Sequence, residues 1–485
     1  MSSPAPHHTA DAVSSAPSLP AARGVLVTLC LAMLLPALSA SIANVALPGL
    51  ARAFAAPFSS VQWVVIAYLL TITALVVSAG RLGDLIGRRR LLLSGMAIFT
   101  LASALCGAAT GLWWLVAARV AQGVGAAIVM SLTMAMVSEV VPKARVGSAM
   151  GLLGTVSAVG TALGPSLGGL LIGASGWQAV FWLNVPLGLV ALAMAWRHLP
   201  KDMPKDAAAH APRFDVIGTV LLTLTLTSYA LAMTLGSGHF GALNLGLLFA
   251  AAVGVVVFVV AQNRVAAPLV RPALFRQPVL AAGFATSALV TTVVMATLVV
   301  GPFYLAGALG LDAARMGLVM SVGPAVAALV GAPAGRLVDR RGAHRVGAAG
   351  LALMFTGSVT LPFASAAWGV AGYAGALALI TAGYAAFQAA NNTAVMTHAG
   401  AEQRGLVSGL LNLSRNLGLV TGASAMGAVF LAGASTPQLA DASPQALTAG
   451  LRLSFFVAAG FVATAGLITL VTRPATAREA EVHNA

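Results

Sequence analysis

The chain has 485 residues, 59% hydrophobic and only 8% charged, whereas about a quarter of a soluble domain is Asp, Glu, Lys or Arg. That composition excludes a soluble globular protein. The formal net charge of +14 would suggest nucleic acid on a soluble fold, but here the basic residues punctuate apolar runs of about 20 residues, the length that crosses a bilayer.

Residues 1–23, rich in Ser, Pro and Ala, lack the basic start and cleavage site of a signal peptide and read as a disordered tail. Apolar runs near 24–47, 61–80, 91–110, 112–137, 147–173 and 177–197 predict a first six-helix bundle over 24–197. A loop over 198–215 follows, with Pro200, Pro204 and Pro212 among alternating Lys and Asp. Two further spans, near 216–235 and 242–262, form an inserted pair, and a basic loop occupies 263–278. Runs near 279–307, 313–335, 345–363, 367–396, 405–432 and 450–472 predict a second six-helix bundle over 279–472, ahead of a tail at 473–485. The expected fold is an all-α integral membrane protein: two six-helix bundles related by a pseudo-two-fold axis, plus two inserted helices, about fourteen transmembrane helices in all.

An even count puts both termini on one side. Only Arg52, Arg315 and Arg452 fall in loops on the other side, and Arg119 and Arg415 fall inside spans. The positive-inside rule therefore assigns the termini to the cytoplasm of a multi-pass protein of the cell membrane. Cys30 and Cys106 fall at opposite membrane depths, so no disulfide is expected.

Residues 80–90, GRLGDLIGRRR, return as a shorter echo at 335–345, GRLVDRRGAHR. Gly80, Asp84, Gly87, Arg88 and Arg89 make a tight turn whose charges could latch one conformation by pairing with each other or with a helix N-terminus; a plain topogenic loop is the alternative. Gly335, Asp339, Arg340 and Gly342 are the corresponding residues of the echo. In the fifth span Gly160, Gly164, Pro165, Gly168 and Gly169 form a side-chain-free stripe with a proline bend, suited to close helix contact. Arg119, with Gln122, sits about two turns inside the fourth span, where a guanidinium must find partners or water, or snorkel to the interface. Arg415 lies about ten residues into the thirteenth span beside Asn412, and either faces a watery cavity or is satisfied by carbonyls. Gln388, Asn391 and Asn392 could serve either role.

These stretches resemble the major facilitator superfamily, in its fourteen-span drug:proton antiporter branch. The two basic motifs lie where that family repeats them. LPGL after SIANVA, VQWVVIAYLL, WQAVFWLNVPLG and RFDVIG resemble further segments of the branch, so the likeness covers roughly residues 35 to 430. It implies that the glycine stripe is an antiporter motif of exporters and that Arg119 and Gln122 take part in proton coupling. It also implies a substrate cavity, for which Ser39, Asn44, Tyr68, Gln388, Asn391, Asn392, Asn412 and Arg415 are candidates. One residue departs from the pattern: Ser39 stands where the branch usually has an acid, and no Asp or Glu is expected deeper than about a turn inside a span.

The expected function is secondary active, proton-linked efflux of small amphipathic compounds or drugs. A narrow metabolite exporter or importer, or a receptor without flux, are the alternatives. With Arg119 and Arg415 as the charges at membrane depth, neutral or anionic substrates are expected over permanent cations. No metal-binding, nucleophile or ATP-binding motif occurs, so neither an enzyme nor a cofactor is expected. The expected partners are the substrate, the proton gradient and the lipid bilayer, with no nucleic acid, and a monomer is compatible with the sequence.

Overall fold

In a membrane every backbone N–H and C=O must be satisfied within its own segment, and a chain of long apolar runs answers with helices. The computed structural model describes residues 19–140, 146–200, 215–235, 241–265, 268–269, 272–398, 404–436, 439 and 442–472. The side chains of some helical residues, including Asp84, lie outside that description, as do residues 1–18 of the expected first tail, the expected tail from 473 and residues 201–214 of the expected loop; residues 19–23, expected in the first tail, instead begin a helix. The N-terminal half comprises α1 (Leu19–Ala53), α2 (Phe58–Val61), α3 (Trp63–Ile86), α4 (Arg88–Gly107), α5 (Leu112–Val140), α6 (Val146–Ser175), α7 (Ala179–Trp182) and α8 (Asn184–His198). The inserted pair is α9 (Val216–Thr234) and α10 (Ala242–Arg264), and the C-terminal half is α11 (Pro278–Gly307), α12 (Ala313–Arg341), α13 (Ala343–His398), α14 (Arg404–Ala434) and α15 (Pro444–Val471). The 56-residue α13 is two spans joined at Gly369, whose φ of +54° and ψ of −128° break the helix. Among the described residues, taking α2 with α3 and α7 with α8 as one span each and counting α13 twice gives the fourteen spans that hydropathy predicts.

Each half repeats one packing scheme. In the first, α1 lies along α6 and α3 along α5; in the second, α11 lies along α14 and α12 along α13. The halves meet through α6 on α12 and α3 on α14, which is the cross-pairing a pseudo-two-fold axis requires. The basic motif and its echo mark the same turn in both. Gly87 ends α3 at φ +101° and Gly342 ends α12 at φ +83°, and a following helix starts at the next residue each time. Those dihedrals favour glycine, which explains its recurrence at that position of the motif.

Polar residues inside the spans mostly satisfy themselves. Thr71 and Thr73 each donate to the carbonyl four residues back, at 2.7 and 2.6 Å, a habit that lets hydroxyls live in an apolar bundle. Small residues set the closest contacts. A side chain at Gly125 would strike the backbone of Phe99 and Gly95 in α4, and one at Gly123 would strike Thr71 and the Tyr68 carbonyl in α3. The two glycines after Gln122 thus let α5 press against both neighbours, and this fixes where Arg119 lies.

The inserted pair is tied to the bundle by polar pins. Asp215 caps α9, accepting from the Gly218 N–H at 2.7 Å and from Gln262 Nε2 of α10 at 2.7 Å. Along α3, α9 is held at one end by Ser78 and Thr219 at 2.7 Å and at the other by Trp63 Nε1 donating to Thr234 Oγ1 at 3.1 Å. Tyr229 of α9 reaches Thr421 and Ser424 of α14. α9 therefore lies across the seam where α3 of one half meets α14 of the other, with α10 packed on α9.

Candidate functional site

Arg119 follows the start of α5 at Leu112 by seven residues, about 10 Å along the axis. Its side chain is 0% exposed, so it does not snorkel to the interface. Nε donates to the Val64 carbonyl at 2.8 Å; Nη1 donates to Ser39 Oγ at 3.0 Å and to Gln122 Oε1 at 2.5 Å. Gln122 passes the chain on, with Nε2 donating to Ser103 Oγ at 2.8 Å and Ser103 donating to the Phe99 carbonyl at 2.7 Å. The Tyr68 ring stacks against the guanidinium, 3.9 Å from centroid to Cζ, and Phe181 stands at 5.9 Å. Tyr68 is itself pinned, its hydroxyl donating to the Pro36 carbonyl at 3.0 Å. Nη2 is buried and has no hydrogen-bond acceptor among the described residues.

The structure thus brings Ser39, Tyr68, Arg119 and Gln122 together in one enclosed cluster built from α1, α3 and α5. Ser103 of α4 and Phe181 of α7 complete it. Neither stands out in the sequence, because a serine and a phenylalanine in apolar helices look like any others. Asn44 is buried and turns to its own helix, donating to the Ala40 carbonyl at 3.0 Å.

The C-terminal candidates sit apart from that cluster, on α13 and α14. Asn391 donates to the Gly283 carbonyl of α11 at 3.1 Å, a helix-to-helix pin. Gln388 has both amide atoms buried and unpartnered. Asn392, Asn412 and Arg415 are half-buried. Arg415, 11 residues after the start of α14 at Arg404, lies about 16 Å along that helix.

In the glycine stripe of α6, Cβ atoms at Gly160, Gly164 and Gly168 would meet α1 at Leu34, Ser41 and Ile42. Gly169 faces the other half: a side chain there would strike the Ala313 carbonyl and Gly317 of α12, while one at Gly317 would strike the Pro165 carbonyl. The stripe therefore serves two interfaces, one within its half and one between halves. A second seam between halves joins Phe58 to Phe303 at 4.7 Å and to Phe430 at 6.1 Å between ring centroids. Beside it Gly427 of α14 abuts Gln62. Both seams lie toward the end of the bundle that carries residues 54–57 and 308–312. At the opposite, basic end Gly331 and Gly335 of α12 and Gly409 of α14 border open space. The close contacts between the halves named here therefore gather at the first end.

At the basic turn, Arg88 Nη1 donates to the Ala135 carbonyl at 3.4 Å, and Arg89 Nη2 to the Trp196 carbonyl at 2.7 Å with its guanidinium over the Trp196 ring. A side chain at Gly80 would begin 2.8 Å from Ser131 Oγ. In the echo, Asp339, Arg340 and Gly342 are exposed. The first turn is docked on its own half through both arginines, while Asp339 and Arg340 of the echo point outward.

Two six-helix halves packed against each other at one end, with a buried polar cluster at membrane depth, define a polytopic transporter. The sequence comparisons agree. Residues 29–423 match the pattern of the Major Facilitator Superfamily, and the chain belongs to that family. It is 34% identical to the uncharacterized transporter YebQ of Escherichia coli, over 84% of this chain and 88% of that protein. It is also 34% identical to the multidrug resistance protein Stp of Mycobacterium tuberculosis, over 84% of this chain and 76% of that one. Among solved structures, a bacterial homologue of the human lysosomal transporter Spinster, inward-facing and unoccupied, superposes with a TM-score of 0.69 at 16% identity, over 94% of this chain and 98% of that chain.

Proposed function

We propose that this transporter exports small amphipathic compounds across the cell membrane by alternating access, linked to the proton gradient, with both termini in the cytoplasm. Neutral and anionic compounds are preferred over permanent cations. The observation that carries the reading is the double use of the α6 stripe. Gly160, Gly164 and Gly168 lock α6 to α1, while Gly169 and Pro165 lock it to α12 at backbone contact. Any rocking of one half on the other therefore passes through a helix that also shapes the interior wall at α1. Stp, similar along most of the chain, is named for multidrug resistance, which supports efflux of drug-like compounds.

Transport in everted membrane vesicles tests this. Uptake of a neutral and an anionic amphipathic dye, driven by an imposed proton gradient and faster than that of a quaternary ammonium dye, is the expected result. Uptake confined to the quaternary dye, or none that depends on the protein, would overturn it.

A further inference from the structure

The Arg119 cluster holds a full positive charge in the interior with nothing of opposite sign against it. A guanidinium has five N–H donors. Here Nε and Nη1 are used by a carbonyl, a hydroxyl and an amide oxygen, all neutral, and Nη2 has no acceptor at all. Among the described residues no carboxylate pairs with Arg119; Asp312 pairs with Arg315 at the surface. Burying an uncompensated charge costs several kcal/mol, and neutral hydrogen bonds and one aromatic face recover only part of that. Ser39 Oγ stands 3.0 Å from Nη1, so the position that could have supplied a carboxylate supplies a hydroxyl.

We infer that Arg119 is an anion site: a carboxylate or small monovalent anion binds the free Nη2 edge of the guanidinium beside Ser39, supplying the negative charge this chain lacks. A carboxylate oxygen takes the free Nη2 N–H groups, and displacing the Ser39 hydroxyl from Nη1 completes a two-pronged grip. The cluster is sealed in the conformation closed at the 54–57 end, and Arg119 lies about 10 Å in from the start of α5. The ligand therefore enters only when the helices around the cluster part, and its binding favours the conformation that admits it. This deepens the export reading, and rests on it, in one respect: where the anion is the substrate's own carboxylate, amphipathic acids are the substrate class.

The test uses the purified full-length protein in detergent, in a bulky sulfonate salt at constant ionic strength. Thermal unfolding is followed as chloride, benzoate or neutral benzamide is titrated. A saturable rise in Tm with benzoate and none with benzamide is expected. An equal response to chloride identifies a free anion as the ligand, and a response to benzoate alone identifies the carboxylate of an amphipathic substrate. Ser39→Asp, which puts a carboxylate beside Nη1, should abolish the response. Arg119→Lys, which keeps the charge and loses the fork, should weaken it at least tenfold in midpoint concentration, so either variant serves if the other does not fold. No response to either anion in the unaltered protein, or an unchanged midpoint in a folded variant, overturns the inference. Because the readout is binding, protein that fails to export in vesicles yet responds to benzoate would remove the export reading alone.

Discussion

Gln62 predicts a substitution that strengthens the protein and slows it. It sits where α2 passes into α3, 0% exposed, inside the seam formed by Phe58, Phe303, Phe430 and Gly427. Neither its amide nitrogen nor its amide oxygen has a partner. A buried amide without hydrogen bonds costs about 1–3 kcal/mol, and here that cost falls on the conformation in which the seam is shut. Opening the seam to water removes the penalty, so Gln62 biases the molecule against its closed state. Replacing it with Met, of similar length and no polar tip, should stabilise the closed seam by about 1–3 kcal/mol, which moves the ratio of closed to open molecules by about 5- to 150-fold. The purified Gln62→Met protein should melt higher, and vesicle transport should fall because the seam reopens too rarely. A Tm unchanged or lowered together with full transport would refute the argument.

Further predictions follow from the same contacts. Gly164→Leu should abolish export: its Cβ would overlap Ser41 and reach 2.9 Å from the Ile42 backbone nitrogen, an overpacking cost of about 1–3 kcal/mol or more that the rigid backbone cannot relieve; unchanged efflux by a folded variant reduces the stripe to ordinary packing. Asp84→Asn should impair transport at normal abundance, and Asp339→Asn should do so less, since Asp339 is exposed and its basic cluster is shorter and interrupted by Ala343 and His344; equal and normal transport in both would make the charges merely topogenic. Reporter fusions at Met1, His239 and Ala485 should read inside, outside and inside, and termini on opposite sides would break the fourteen-span count. His239 lies outside the described residues, so the fusion is an independent check.

The fold was legible because membrane helices advertise themselves twice, by apolar length and by the glycines that end them. Hydropathy counted the spans, and the recurrence of Gly87 as Gly342 located the repeat, since a helix that must stop and restart within one residue favours a positive φ. The site was legible in part. Arg119 was conspicuous as a charge in a span, and a helical wheel could place Gln122 beside it at i+3, but nothing in the sequence said that Ser39 from a helix 80 residues away would close on the same nitrogen. The seam was invisible for a further reason. Phe58, Phe303 and Phe430 are ordinary apolar residues, and Gln62 becomes informative only once burial shows its amide to be without partners.

What joins these parts is where unsatisfied polarity has been left. Most buried hydroxyls bond back into their own helices, as Thr71 and Thr73 do, so a polar group without a partner is not the inevitable result of folding a polar residue into a membrane. Arg119 Nη2 and the Gln62 amide are two of several such groups, Gln388 being another, and these two belong to residues of the N-terminal half near the end that the two seams close. Each makes the closed conformation less stable than its apolar packing alone would. A transporter must leave each of its end states at a useful rate, and a closed end packed only with Phe, Gly and Leu would hold too well. Removing either orphan should therefore trap the protein with that end shut, the first by a carboxylate at residue 39 and the second by Met at residue 62. Because the two groups sit on different contacts, their effects on Tm should add; strong non-additivity would mean that a single rearrangement satisfies both.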